Sequence, residues 1–149
     1  MRVYLDTCCY NRPYDDQSQL RISLEAQAKL YIQEKIRKGE LELATSYILF
    51  FENSMNPYPT KNNTIKQFLS NHSCCCIESS RSEEVEQLAA PIRATGVNTM
   101  DALHVACALI AKCDCFFTTD QRLLKYKTDK MMIMNPIDYI RLEGGEKDE

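Results

Sequence analysis

Between Asp114 and Lys125 the chain reads DCFFTTDQRLLK: a short apolar run, Cys115 to Phe117, passes through Thr118 and Thr119 to a carboxylate, Asp120. Such a run reads as a buried strand, and it delivers its acid at the C-terminal tip. The first residues, MRVYLDTCCYN, repeat the pattern, with Val3 and Leu5 leading into Asp6. Acids at strand ends are common in surface turns, so neither case decides anything alone. The segments between them do.

Residues 2–6 read as a strand, followed by a polar loop, NRPYDDQSQ, in which Pro13 rules out continuation. Apolar residues then recur at helical spacing from Leu20 to Lys38 (Leu20, Leu24, Ala28, Tyr31, Ile32, Ile36), and Gly39 closes the helix. ELELATS at 40–46 is a second strand, and Ser46 caps a helix over 47–55 that stops before Pro57. A helix over Lys61–Ser70, a strand at 74–78 (CCCIE) and a helix from Ser82 to Gly96 with Pro91 inside it come next. Asn98 or Thr99 caps a long helix to Lys112 before the strand at 115–118. KMMIM at 130–134 is the last strand, with a short helix after Pro136. Strands alternating with helices predict an α/β fold, a three-layer α/β/α sandwich around a mainly parallel sheet. One domain over 1–142 is expected, with 143–149 as a flexible tail. Sites in such sheets gather outside the C-terminal strand ends. Asp6 and Asp120 both fall there.

The chain of 149 residues is long enough for one hydrophobic core. It shows neither a stretch able to span a bilayer nor a signal-peptide pattern, so no membrane association and a cytoplasmic location are expected. Its eight cysteines include no paired C-x-x-C motifs and lie mostly in apolar segments, where a free thiol behaves as a small hydrophobe. A zinc site from His72 with Cys74–Cys76 is the alternative to that reading, and redox roles are another. The net charge of −3 argues at first against a nucleic-acid partner. It decides little, because acids converging on a cation would leave the remaining surface near neutral or locally basic.

Two further acids stand where burial should exclude them. In YILFFENSM (47–55), Ile48, Phe51 and Met55 form one stripe, and Glu52 falls within it. In MDALHVACALIA (100–111) only Asp101 and His104 are polar, so this helix reads as buried. Asp101 in its first turn also favours the helix dipole and can join a capping box with Asn98. His104 one turn on reads as a packed or hydrogen-bonded core histidine rather than a ligand. Two carboxylates about 4 Å apart repel by about 4 kcal/mol at an effective dielectric near 20. Convergence of Asp6, Glu52, Asp101 and Asp120 would thus consume much of a domain's ~5–15 kcal/mol stability. Protonation or bound divalent cations would relieve it, and all-oxygen ligation suits Mg²⁺ or Mn²⁺ rather than zinc. Such ions serve metal-assisted hydrolysis of a phosphodiester backbone.

In order and spacing, VYLDT, the helical Glu52, DALHVACAL and FFTTD resemble a PIN domain over nearly the whole chain. The opening LDTCCYNRPYDD is similar to a subgroup of small prokaryotic PIN proteins, and many single-domain members resemble VapC-type toxins. The resemblance implies an Mg²⁺- or Mn²⁺-dependent ribonuclease acting on RNA, held in check by a small antitoxin and often paired as a homodimer. It implies Asp6, Glu52 and Asp101 as metal-binding catalytic acids, and Asp120 as the fourth, holding a second ion or orienting water. Thr7, Thr118 and Thr119 become polar supports. Asn11 and Arg12, in a loop not general to the family, become candidates for substrate phosphate, with a plain turn before Pro13 as the alternative. One departure is that Asn98, Thr99 and Met100 stand where the family often carries a base before the third acid.

Other readings fit less well. A haloacid-dehalogenase-type site needs Asp-x-Asp after the first strand, where this chain has Asp6-Thr7-Cys8, and a receiver domain needs paired acids earlier than Asp15 and Asp16. A PIN module with weak or no catalysis, used for RNA binding or protein interaction, is the main alternative.

Overall fold

Parallel pairing forces each strand to return through a crossover, and the chain supplies helices for that purpose. A computed structural model describes the backbone of residues 1–148 and side chains through Glu143. Strand β1 (Arg2–Leu5) leads into a short helix α1 (Thr7–Asn11), a 3₁₀ turn over Arg12–Tyr14 and the long α2 (Leu20–Arg37). Then come β2 (Glu42–Ser46), α3 (Tyr47–Ser54), α4 (Pro59–His72), β3 (Ser73–Ile77), α5 (Ser82–Ala94) and α6 (Thr99–Ile110). Strands β4 (Cys115–Phe117) and β5 (Met132–Met134) and helix α7 (Pro136–Asp148) complete the order. The expected tail from 143 therefore begins inside α7, where Glu143 accepts hydrogen bonds from Lys35 (2.8 Å), Tyr31 (2.6 Å) and Tyr139 (2.8 Å).

The five strands form one sheet in the order β3-β2-β1-β4-β5, every pair parallel. Successive residues of a strand face opposite ways, and the layers follow from this. Tyr4 stacks on Phe116 at 5.3 Å and meets His104 of α6, whereas Phe117 meets Tyr139 of α7. Helices α5 and α6 thus cover one face, α2 and α7 the other, and the three-layer α/β/α sandwich is as the alternation predicts. After β3 the chain crosses back to the far side of β1. That reversal opens a crevice at the C-terminal ends of β1 and β4.

Helix boundaries follow local chemistry. Ser46 caps α3 by accepting from the Leu49 N–H (3.3 Å), and Asn98 caps α6 by accepting from the Asp101 N–H (2.9 Å). Gly39 and Gly96 follow α2 and α5 at φ 77° and 105°, a backbone region open to glycine without a Cβ penalty. Helix α4 begins two residues before the expected start, because Pro59 suits the first helical turn.

Two apolar stripes differ from expectation. On α2, Leu20 (74%) and Leu24 (43%) are exposed, while Glu25 and Lys29 are buried with Ile32 and Ile36. The charged pair is tolerated because each has partners. Lys29 Nζ lies 5.3 Å from the Tyr10 ring centroid and 5.6 Å from that of Phe68, and it donates to Gln33. On α3 the buried residues are Ile48, Leu49 and Asn53, and Phe51 and Met55 face outward. All eight cysteines are free; Cys9, Cys107, Cys113 and Cys115 are buried, whereas Cys74 and Cys76 are exposed on the edge strand β3.

Candidate functional site

Asp6 ends β1 and caps α1, so its position is fixed from both sides. Its N–H donates to Phe117 O of β4 (2.9 Å), and its Oδ1 accepts from the Thr7 N–H (2.7 Å). Oδ2 accepts from Thr118 Oγ1 (2.9 Å) and from the Cys8 thiol (3.4 Å). Three donors thus hold a carboxylate that is only 5% exposed. Thr118 acts twice, because its Oγ1 also accepts from the Asp120 N–H (3.1 Å).

Glu52 reaches the same place from α3. Its Oε1 accepts from Thr7 Oγ1 (2.7 Å) and from His104 Nε2. Desolvation pushes the Glu52 carboxyl up, but the hydrogen bonds from His104 and Thr7 and the attraction of His104 outweigh it, holding the group below the usual carboxylate range. His104 is itself oriented from behind, with Nδ1 2.7 Å from the Tyr4 hydroxyl, which lies 2.6 Å from Ser46 Oγ. The chain of contacts from Ser46 through Tyr4 to Nδ1 holds the imidazole with its Nε2 directed at Glu52. His104 is the buried, hydrogen-bonded histidine expected from the sequence, and it also faces the acids. Asp6, Glu52 and His104 each offer a ligand atom within 4.8 Å of the others. No other set of three metal-ligating residues among the described residues meets that spacing, including His72 with the cysteines of β3.

Asp101 joins the site from the first turn of α6. Its Oδ2 accepts from Asn98 Nδ2 (2.8 Å), so the two side chains pair directly, whereas a capping box would have Asp101 accept from the Asn98 main-chain N–H. Desolvation first, then the charges of Asp6 and Asp120, push its carboxyl up to about 6. Three acids thus sense one another across β1, β4 and α6, and Glu52 is tied to Asp6 through Thr7. Asp120 caps its own turn, with Oδ1 accepting from the Arg122 N–H (2.9 Å). Neither Asp101 nor Asp120 meets the 4.8 Å spacing of the triplet. Asp6, Glu52 and His104 together could hold a metal ion, with two carboxylates and one imidazole as donors.

Asn11 and Arg12 part company. Asn11 Nδ2 donates to Thr7 O (3.2 Å), and the residue lines a cleft beside Glu52. Arg12 turns inward, donating to Thr119 Oγ1 (2.8 Å) and Asp15 Oδ2 (3.0 Å). Its Nε is 3.2 Å from Glu25 Oε1, too poorly aligned for a hydrogen bond, so this contact is an ion pair. Glu25, 1% exposed, also accepts from Arg21 Nε (3.3 Å) and from Asn135 Nδ2. Thr119 therefore supports the loop through Arg12 and not an acid directly.

The cations missing before Asp101 in the sequence arrive from elsewhere. Arg122, Lys125 and Lys127 line a cleft that begins at Asp101. Their signal was the basic run QRLLKYKTDK after Asp120, which has no helical or strand period to single it out.

Against this geometry, the comparisons are consistent. A chain of VapBC2 from Rickettsia felis, bound to a DNA fragment from their promoter, matches 89% of this chain and 97% of its own at 14% identity, TM-score 0.55. FitAcB from Neisseria gonorrhoeae matches 90% and 97% at 17% identity, TM-score 0.51. FitAB bound to an IR36 DNA fragment matches 91% and 95% at 16% identity, TM-score 0.54. At such identities the likeness concerns the fold. A search of curated proteins returns no match. The PIN domain model matches residues 3–128, a span holding all four acids. By that match and by the acids at its sheet's C-terminal edge, the chain belongs to the PIN-domain family.

Proposed function

We propose that the protein is a ribonuclease that uses Mg²⁺ or Mn²⁺ to hydrolyse phosphodiester bonds of RNA. The observation that carries this reading is the meeting of Asp6, Glu52 and His104, whose ligand atoms lie within 4.8 Å of one another at the edge where β1 and β4 end, inside a chain that matches the PIN domain. In it, Asp6, Glu52 and Asp101 hold the ion, and Asp120 binds a second ion or orients water. A divalent ion bound there activates water and offsets the charge that gathers on the scissile phosphate. The surrounding residues prepare the acids. Thr7 bridges Asp6 and Glu52, Thr118 fixes Asp6 and the start of the Asp120 turn, and His104 aims Glu52. The main-chain and hydroxyl donors keep Asp6 from turning away when no cation is present.

The structural relatives VapBC2 and FitAB support a small antitoxin as partner, with self-association as a homodimer a second proposed contact. Exposed Leu20, Leu24 and Leu30 on α2 supply apolar surface of the kind a partner covers. No helix among the described residues is long and apolar enough to cross a membrane.

Incubation with a mixed pool of structured and single-stranded RNA tests the activity. Cleavage is expected with Mn²⁺ or Mg²⁺ and none with EDTA. Failure of folded, metal-bound protein to cut any of the pool would move the assignment to a PIN module that binds without catalysis.

A further inference from the structure

Where α1, α2 and α4 come together, a cavity of about 240 Å³ is lined by Tyr10, Lys29, Gln33, Arg37, Phe68 and His72 among others. It shares no lining residue with the clefts at Glu52 and Asp101. Its charge is one-sided. Lys29 and Arg37 bring two cations, and among the described residues no acid lines it.

Lysine is almost never buried without an anionic partner. Lys29 is only 5% exposed, yet it is in none of the salt bridges formed among the described residues. Of the three N–H donors on its Nζ, one is used, toward Gln33. The Tyr10 and Phe68 rings attract the charge without replacing a counter-ion. Arg37 lies over the same Phe68 ring, 5.8 Å from its centroid, and its pairing with Glu34 is a loose 3.8 Å contact between two exposed groups. Desolvation, with the Arg37 charge adding to it, lowers the Lys29 ammonium to about 8. Tyr10 supplies an independent sign. Its hydroxyl is buried and has no hydrogen-bond partner, a costly state for a polar group.

The rings and Gln33 alone would make Lys29 a packing residue. That explanation leaves the Tyr10 hydroxyl, the spare N–H donors and the open volume without a use, whereas an anion answers all three. Two cations match a dianion, and a carboxylate would meet only one of them. A backbone phosphodiester carries one charge and a chain at both ends, more than this cavity takes in. We propose that the cavity binds a phosphate dianion, either inorganic phosphate or the end of a small phosphate monoester, held by Lys29 and Arg37 with the Tyr10 hydroxyl donating to it. The site stands apart from the ribonuclease reading and does not depend on it. Because Tyr10 belongs to α1, which Asp6 caps, the bound anion also ties that short helix to α2.

Isothermal titration calorimetry of the full chain, at constant ionic strength, compares inorganic phosphate, adenosine monophosphate and acetate. EDTA is present throughout, so that no metal draws phosphate to the acids. One phosphate per chain is expected, with acetate at least roughly tenfold weaker, since it meets one fewer charged hydrogen-bond donor. Tighter binding of the monophosphate names a monoester as the source, and weaker binding names free phosphate. Lys29→Met keeps the stem and removes the charge, and should weaken binding at least roughly tenfold. Arg37→Gln, at an exposed position, should do the same and serves if Lys29→Met does not fold. Tyr10→Phe should weaken binding severalfold and, without phosphate, melt no lower than the parent, because the unpaired hydroxyl is gone. Phosphate at ten times its Kd should raise the parent's Tm by about 3–6 °C and leave Lys29→Met unmoved. Neither heat nor a Tm shift with folded parent, equal affinity for acetate, or binding that Lys29→Met and Arg37→Gln leave unchanged would overturn the proposal.

Discussion

Asp101→Asn is expected to lower metal-dependent RNA cleavage by well over 100-fold and, without metal, to make the protein more stable above pH 6. The first effect follows from removing a proposed ion ligand, since even outer partners of a metal site are worth about 10–100-fold. The second follows from the sign of the carboxyl's shift. Its ordinary value is 3.8 and the fold raises it to about 6. Between those values the folded protein holds a proton that the unfolded chain has released, so stability falls as pH rises through this window. Above pH 6 the folded protein carries the full penalty of a charged Asp101. Asparagine keeps an oxygen for the cap with Asn98 and carries no charge, so that penalty disappears, less the small gain an acid makes at a helix N-terminus. A rise in Tm of roughly 2–4 °C is expected at pH 7.5, corresponding to about 1 kcal/mol in a chain of this size. The difference should vanish below about pH 4, where both states are protonated. Thermal melts of both proteins in EDTA across that range provide the check. Divalent metal should then stabilise the parent and leave the variant nearly unmoved. A variant that melts lower at every pH would mean that Asp101 serves the fold rather than an ion.

Glu25→Ala is expected to destabilise the protein by about 3 kcal/mol, the lower end of the range for breaking a buried ion pair. The lower end applies because Arg12 is 20% exposed and Arg21 51% exposed, so water recovers part of the loss. The remainder arises because Arg12 loses its buried counter-ion and Asn135 its acceptor, and Arg12 is the residue joining the loop after α1 to Thr119 at the end of β4. Urea denaturation measures the effect, and a loss below 1 kcal/mol would show that the network is replaceable by solvent. Because the loop also carries Asn11 to the cleft beside Glu52, cleavage should fall further than the folded fraction does.

The parallel sheet was legible because its evidence is local: apolar runs of strand length, caps at Ser46 and Asn98, and glycines after two helices. The acids at the ends of β1 and β4 were legible for the same reason, since strand direction alone places them. Glu52 was reached through a stripe of which the fold buries only Ile48. Phe51 and Met55 face outward, and Glu52 reaches the site from the border between that open face and the core. Glu25 and Lys29 were missed because a helical period sorts apolar from charged residues and has no means of showing that a charge will find partners inside. The inward turn of Arg12 depends on Glu25, Thr119 and Asp15, which are distant or unremarkable in sequence and converge only in the fold. The same holds for Lys125 and Lys127, which follow β4 in sequence yet line the cleft at Asp101.

The central claim is that Asp6, Glu52, Asp101 and Asp120 hold a divalent ion. Titration of purified protein with Mn²⁺, following free Mn²⁺ by electron paramagnetic resonance, measures it without any need for substrate. At least one Mn²⁺ bound per chain, displaced by Mg²⁺ and lost in Asp6→Asn and Asp101→Asn, is the predicted result. Mn²⁺ that stays free in the presence of folded protein, or binds both variants as tightly as the parent, would contradict the account.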